Sequence, residues 1–342
     1  MFGRIWGEVD AYRIYRYQMD KNPFSIYDFM GYLFPGIITL FFIQLIWDGN
    51  ENSIFNILNI ENFEGITNNI EKSINLETTV ICVVIAYVIG HIIAYLSSVT
   101  VEYFANKTFG YPSEYLMDST KQSWWQLFLR YYFNVSKEEF HEGESKKQMI
   151  LRLMKKKIIW RYVIGRLLWR FTIGLILFPL SFMTFTLGFF LGINRFITRP
   201  LDKYLIAGIK EKFLFLTSKI GIQNLKEKIR CDYHRVVMHY VYYNLPVCQN
   251  KTDNYISLYG FLRSICFILN GMFIFINIKI LPTLDINDSL DEKKVWTWSI
   301  LFTLSYISFL AFVKFYRRFT LENYMIMLTE RVSDKSLESQ IK

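Results

Sequence analysis

Tyr87, His91, Ser98 and Glu102 follow one another at spacings of four, seven and four residues, which sets a phenol, an imidazole, a hydroxyl and a carboxylate along one stripe of a helix. Arg263, Asn270 and Asn277 repeat every seven residues and hold close to one face of another. Both series lie in apolar runs, where ionisable and amide side chains turn toward a bundle interior or a water-filled path. If the two stripes face a common axis, they line a hydrated pore or a proton or ion path. The same groups also serve as adhesive between helices, at about 0.6–2 kcal/mol per interhelical hydrogen bond. On that second reading Glu102 sits at a membrane boundary, His91 bonds a carbonyl and Arg263 snorkels from its first turn. Gln44, Ser305 and Ser308 are further polar residues within apolar runs, and Gly188 and Gly192 form a GxxxG of the kind that packs helices closely.

Other chemistries find less support. Cys231, His234, His239 and Cys248 fall within eighteen residues, but His239 lies five residues from His234 and Cys248 follows Pro246, so the spacing matches no zinc pattern. His141 with Glu142 and Glu144 lacks the second histidine of HExxH. There is no GxSxG elbow, no GxxxxGK[ST] loop and no GxGxxG fingerprint. A hydrolase using Ser97 or Ser98 with His91 fails on distance, since Ser98 and His91 stand two helical turns, about 10 Å, apart. The expectation is a non-enzyme without cofactor or metal.

These residues need spans to position them. Of the 342 residues, 52% are hydrophobic and 20% charged, which excludes a disordered tail or a disulfide scaffold. Four scattered cysteines, Cys82, Cys231, Cys248 and Cys266, read as free thiols. The first 21 residues carry four basic side chains and no apolar stretch, so no signal peptide is expected, and no lipidation motif is present. Apolar blocks predict full spans at about Phe29–Trp47, Thr79–Val99 (helical on to Phe104), Phe261–Leu281 and Trp296–Val313.

The block Leu167–Ile193 holds Pro179 near its middle, with Arg166, Arg170, Arg195 and Arg199 at its flanks. Charge decides how to thread it. With four full spans the Lys/Arg count is 4 before the first, 13 from Phe104 to Arg170, 12 from Arg195 to Arg263 and 6 after the last, all on one side. Lys72, Lys293 and Lys294 alone fall opposite, with Lys279 at the boundary, as the positive-inside rule expects. A single crossing at 167–193 breaks that pattern, so the block is expected to enter and return as a Pro-centred hairpin or short span pair. Bent backbone at membrane depth needs protein or water around it, which points to a homo-oligomer.

The predicted class is thus all-α: a multi-pass helical membrane protein with four full spans, a re-entrant hairpin and a helical cytoplasmic region. Its segments are a cytoplasmic stretch at 1–28, two spans at 29–104 around an acidic outer loop at 48–78, a cytoplasmic helical region at 105–166, the hairpin at 167–193, a second cytoplasmic region at 194–260, a helix pair at 261–313 and a cytoplasmic helix at 314–342. Amphipathic helices are expected at Ser113–Val135, Lys146–Phe171, Leu225–Tyr243 and Phe319–Val332, the second placing Arg152, Lys155, Lys156, Arg166 and Arg170 on one cationic arc. Gly110-Tyr111-Pro112-Ser113 reads as a turn.

The net charge of +9 lies beside spans, where it meets anionic lipid headgroups, and needs no nucleic acid to explain it. Abundant Ile, Lys, Asn, Phe and Tyr fit an AT-rich genome and a bacterial inner membrane, with both termini cytoplasmic. The expected function is an oligomeric, regulated ion pathway, a membrane-depolarising effector being one case, gated by a cytoplasmic protein or small ligand. The alternative is a non-conducting scaffold or sensor that recruits a cytoplasmic partner.

Overall fold

The computed structural model describes residues 26–47, 76–117, 131, 160–219, 232–245, 249–280 and 292–330, and every element among them is helical. Packing divides the chain into two units, Met1–Ala94 and Tyr95–Lys342.

In the first unit a π-helical turn, Phe29–Leu33, runs into α1 (Phe34–Trp47). Pro35 is the reason for the wide turn. It lacks an N–H, and its ring would press on the carbonyl four residues back. The Phe34 N–H instead reaches the Phe29 carbonyl five residues back, and the widened turn absorbs the proline without a break. The second helix of this unit, α2 (Leu76–Ser97), lies against α1 at glycines. A Cβ on Gly36 would stand 1.7 Å from the Ala86 carbonyl oxygen, and one on Gly90 would stand 1.8 Å from that of Tyr32. The backbones therefore touch directly, and only hydrogen fits between them. Around this contact α2 is apolar and exposed at Val80, Ile81, Val84, Val88 and Ile92.

The second unit begins with another π turn, Ser98–Glu102, followed by α3 (Tyr103–Thr108) and α4 (Pro112–Met117). Gly110 takes φ +87 between them, as the expected turn requires. After Tyr131 come α5 (Trp160–Ile176), α6 (Phe178–Phe185), α7 (Leu187–Phe190), α8 (Ile193–Ile197), α9 (Lys203–Lys219), α10 (Asp232–Asn244), α11 (Gln249–Ile280) and α12 (Glu292–Thr329). The chain turns by 96° between Leu168–Ile176 and Phe178–Phe185. Pro179, in the first turn of α6, forces this break. The freed Gly174 carbonyl accepts from Ser181 Oγ at 3.0 Å instead.

Gly188 and Gly192 do not form a close-packing pair. Gly192 is a left-handed corner with φ +70 and open space where a Cβ would go, while Gly188 sits buried on the four-residue α7. The helix ends before the motif can repeat one turn on.

Helices α11 and α12 form the scaffold, 32 and 38 residues long. At 1.5 Å per residue these are rods of about 48 and 57 Å, well beyond the roughly 30 Å hydrocarbon core. The region expected as a separate helix from Phe319 is in fact the continuation of α12, since no Gly or Pro interrupts 292–329. Phe104, Leu177, Leu180, Phe309 and Phe312 are fully enclosed around these rods, with Phe273 edge-on to Phe302 at 4.8 Å. Arg170 is also buried. Rather than joining a cationic arc, it donates to the Tyr131 carbonyl at 2.8 Å and the Tyr103 hydroxyl at 3.1 Å, while Tyr131 Oη donates back to the Arg170 carbonyl. Those acceptors hold its charge inside the fold.

Among the described residues, three helices are long and apolar enough to cross a membrane: Thr79–Met117, Gln249–Ile278 and Val295–Thr329. The bent pair makes a fourth if counted as one span, and Phe29–Ile43 is apolar but shorter. Described residues that are all helical, with three or four such helices among them, fit a membrane-embedded protein.

Beyond the apolar stretches, Lys251 pairs with Glu322 at 2.6 Å, and Tyr240 donates to Glu330, tying α10 and α11 to the end of α12. On α10, the His234 ring lies edge-on to Phe319 and Tyr324 at 5.6 and 5.7 Å, and its Nε2 is enclosed without a hydrogen-bond partner. Burial pushes this imidazole down to about 4. The folded state therefore holds it neutral while the unfolded chain protonates near its ordinary 6.5. Stability from His234 is complete above about pH 6.5 and is lost as pH falls through 4. Unfolding free energies at pH 7 and 4.5 should differ less in His234→Phe than in wild type, by roughly 2 kcal/mol; an equal acid loss in both would clear His234 of the effect.

Candidate functional site

Two polar clusters hold the residues singled out from the sequence, one in each unit. In the first unit the Gly90 contact sets the backbone of α2 against Tyr32, and the neighbouring His91 ring stacks on the Tyr32 ring at 3.7 Å and 22°. Tyr87 stands edge-on to both rings, 4.6 Å from His91 and 6.1 Å from Tyr32, and Tyr32 Oη donates to Tyr27 Oη at 3.2 Å. His91 is exposed despite these neighbours. An imidazole stacked on one phenol and met edge-on by a second has its plane fixed, and its exposed edge can hydrogen-bond outward. The Phe29–Leu33 π turn presents Tyr32 here, a residue that periodicity did not single out.

In the second unit Glu102 and Arg263 form an ion pair between the π turn and α11. Arg263 Nε also donates to Ser97 Oγ at 3.2 Å, and Ser97 Oγ lies 3.4 Å from Ser264 Oγ. The Arg263 side chain is 12% exposed and that of Glu102 24%, so the pair is largely withdrawn from solvent. One member of each expected stripe thus meets the other. Arg263 does not merely snorkel.

Ser98 was expected in this row, but Ser97 takes the place. The Tyr103 N–H bonds to the Ser98 carbonyl, five residues back, so a full turn here takes about five residues rather than 3.6. Residues five apart, 97 and 102, then share a face, and Ser98 is rotated out of it to a half-buried position. A strict helical count could not anticipate the wider turn.

Asn270 is fully buried and donates to the Cys266 carbonyl at 2.7 Å and to Ser305 Oγ on α12 at 2.6 Å. One bond returns to its own helix and the other holds α11 to α12. Asn277, half-buried, bonds back to the Phe273 carbonyl at 2.7 Å. The second stripe therefore divides: Arg263 meets Glu102, Asn270 glues two helices and Asn277 bonds back to its own helix. Ser308 is half-buried, whereas the Gln44 side chain lies outside the described residues. Of the weighed metal set, His234 is enclosed by aromatics and His239 is exposed, while Cys231 and Cys248 lie outside the described residues, as does His141. Cys82 and Cys266 are free thiols.

Comparison of the chain with family models, curated proteins and solved structures finds no match.

Proposed function

We propose that this chain is an oligomeric membrane protein forming a regulated ion pathway, with the Glu102–Arg263 pair as the contact whose breaking opens it. The carrying observation is that carboxylate and guanidinium, one from each polar stripe, meet across two apolar helices with Ser97 and Ser264 beside them. Charges placed there are costly unless paired or hydrated, so a pair that can separate into water makes a two-state element. The exposed apolar face of α2 supports assembly with further copies.

In this reading residues 29–47, 79–104, 261–281 and 296–313 cross a bacterial inner membrane and 167–193 enters and returns, both termini being cytoplasmic. The 96° turn before Pro179 and the second corner at Gly192 support a returning path. A reporter active only outside the cytoplasm, fused after Lys342, should stay silent; strong activity would replace the hairpin by a single crossing. The basic segments meet anionic headgroups, and a cytoplasmic protein or small ligand acting on the α9–α10 region supplies regulation.

Ion flux through the purified protein in liposomes tests the function. Flux should appear in wild type and change in His91→Ala and Glu102→Gln assemblies of the same size. The second reading, a non-conducting scaffold, draws on Asn270, which joins helices and leaves neither N–H for water. Under it Asn270→Leu weakens assembly and no variant conducts.

A further inference from the structure

Helix α12 acts as a depth gauge for the corner that follows α6. A Cβ on Gly188 would stand 2.6 Å from Tyr306 Oη, so α7 lies beside the apolar part of α12. Further along, Arg317 Nη2 donates to the Arg199 carbonyl at 2.9 Å. From Tyr306 to Arg317 is about 16 Å of helix at 1.5 Å per residue. Over that distance α12 turns from apolar to basic, with Lys314, Arg317 and Arg318 following Phe312 and Val313. Beyond it, a Cβ on Gly208 would meet Leu328 Cδ1 at 3.4 Å, and Lys212 donates to the Glu330 carbonyl at 3.2 Å. The corner at 187–199 thus crosses the level at which α12 leaves its apolar stretch, and α9 carries the chain away from it.

At this level the corner turns aromatic and basic side chains outward. Phe190 and Phe196 are 80% and 79% exposed, and Leu191 67%. The loop beneath them is fastened, since the Leu201 N–H donates to the Leu116 carbonyl at 3.0 Å. Arg199 and Lys203 are exposed on the corner, as are Lys314 and Arg318 on α12. Asp202 is the one acidic residue between Gly188 and Lys210, and its carboxylate accepts the Tyr204 N–H at 3.0 Å.

We infer that the corner at 187–199 is an interfacial anchor for anionic phospholipid, with Phe190, Leu191 and Phe196 among the upper acyl chains and Arg199 and Arg318 on headgroup phosphates. Apolar side chains interleaved with cations are what the boundary between acyl chains and anionic headgroups accepts. Long arginine side chains keep their stems in the apolar layer and their charge among the phosphates. Depth separates this surface from the rest of the exposed apolar area, because α12 places it where charge and hydrocarbon meet. The anchor rests on reading the chain as membrane-embedded and owes nothing to the ion pathway. It also moves the start of the region at 194–260 out of the cytoplasm and into the headgroup layer.

The test uses the full chain in lipid discs of mixed phosphatidylcholine and phosphatidylglycerol, with photo-crosslinking p-benzoylphenylalanine in place of Phe196, Phe215 or Ile81. Phe215 is exposed but lies past Lys212 on α9, and Ile81 belongs to the exposed apolar face of α2. Mass spectrometry should find lipid adducts at 196 and 81 and none at 215. Phosphatidylglycerol should exceed its share of the disc about twofold or more in the adducts at 196, and Arg199→Gln/Arg318→Gln should return it to that share. Adducts at 81 with none at 196 would overturn the anchor alone. Equal yields at 196 and 215, or an enrichment that is absent or unmoved by the double variant, would do the same. No adduct at either 81 or 196 would overturn the anchor together with the membrane reading beneath it.

Discussion

Gly90→Ala and Gly36→Ala are each expected to separate α1 from α2 and to abolish the His91–Tyr32 stack. A methyl at either position would stand within 1.8 Å of a backbone carbonyl oxygen, and backbone cannot swing aside as a side chain does. The helices must move apart by more than an ångström, emptying the contact on both sides. Overpacking typically costs about 1–3 kcal/mol, and a wall made of backbone puts these two at or above the upper end. Gly31→Ala is the control: its Cβ would meet only the Tyr27 ring at 3.7 Å, an ordinary contact. Hydrogen exchange in lipid discs should show lost protection over 34–47 and 76–94 in the first two variants and not in the third. Wild-type protection in Gly90→Ala would mean that the helices meet elsewhere.

Neutralising one member of the Glu102–Arg263 pair should be worse than neutralising both. Glu102→Gln leaves a guanidinium 12% exposed without its carboxylate, and Arg263→Gln leaves a carboxylate without its cation. Each single change should destabilise the protein by roughly 1–3 kcal/mol, below the value for a fully buried pair because both groups retain some exposure. The double variant Glu102→Gln/Arg263→Gln restores neutrality and should regain much of the loss, giving a coupling of about 1–3 kcal/mol in a double-mutant cycle. Basal flux should rise in the singles if the pair holds the pathway shut. Additive effects would show two independent surface charges rather than a coupled contact.

Much of this arrangement was legible in the residues. Long apolar runs point to helices at 29–47, 79–104, 261–281 and 296–313, and Pro179 to the break, because hydrophobic block length and a missing N–H act locally. The stripes brought Glu102 and Arg263 forward as residues of interest. Their partnership was not legible, since nothing local records which helices become neighbours. Ser97 stands where the helical count puts Ser98, because a π turn changes that count. Gly36 reads as a companion of Pro35 and Gly90 as an unremarked small residue; their role exists only once two helices cross. The Gly188–Gly192 spacing misled for the converse reason, its helix ending too soon. Arg170 joins a basic series in the sequence, and only Tyr131, 39 residues away, draws it inside.

The uninterrupted α12 has a mechanical meaning. A helix of 38 residues without Gly or Pro is stiff along its axis, so displacing its Thr329 end must tilt or translate the Glu292 end as well. Deformation will concentrate instead where the hydrogen-bond ladder is already irregular, at Phe29–Leu33, Ser98–Glu102 and the corners around Leu177 and Gly192. The molecule thus joins a lever to a set of joints. Lys251 and Glu322 clamp α11 to that lever, so a push on the salt-bridged end reaches Arg263 three turns along the same rod, where one of the joints holds Glu102.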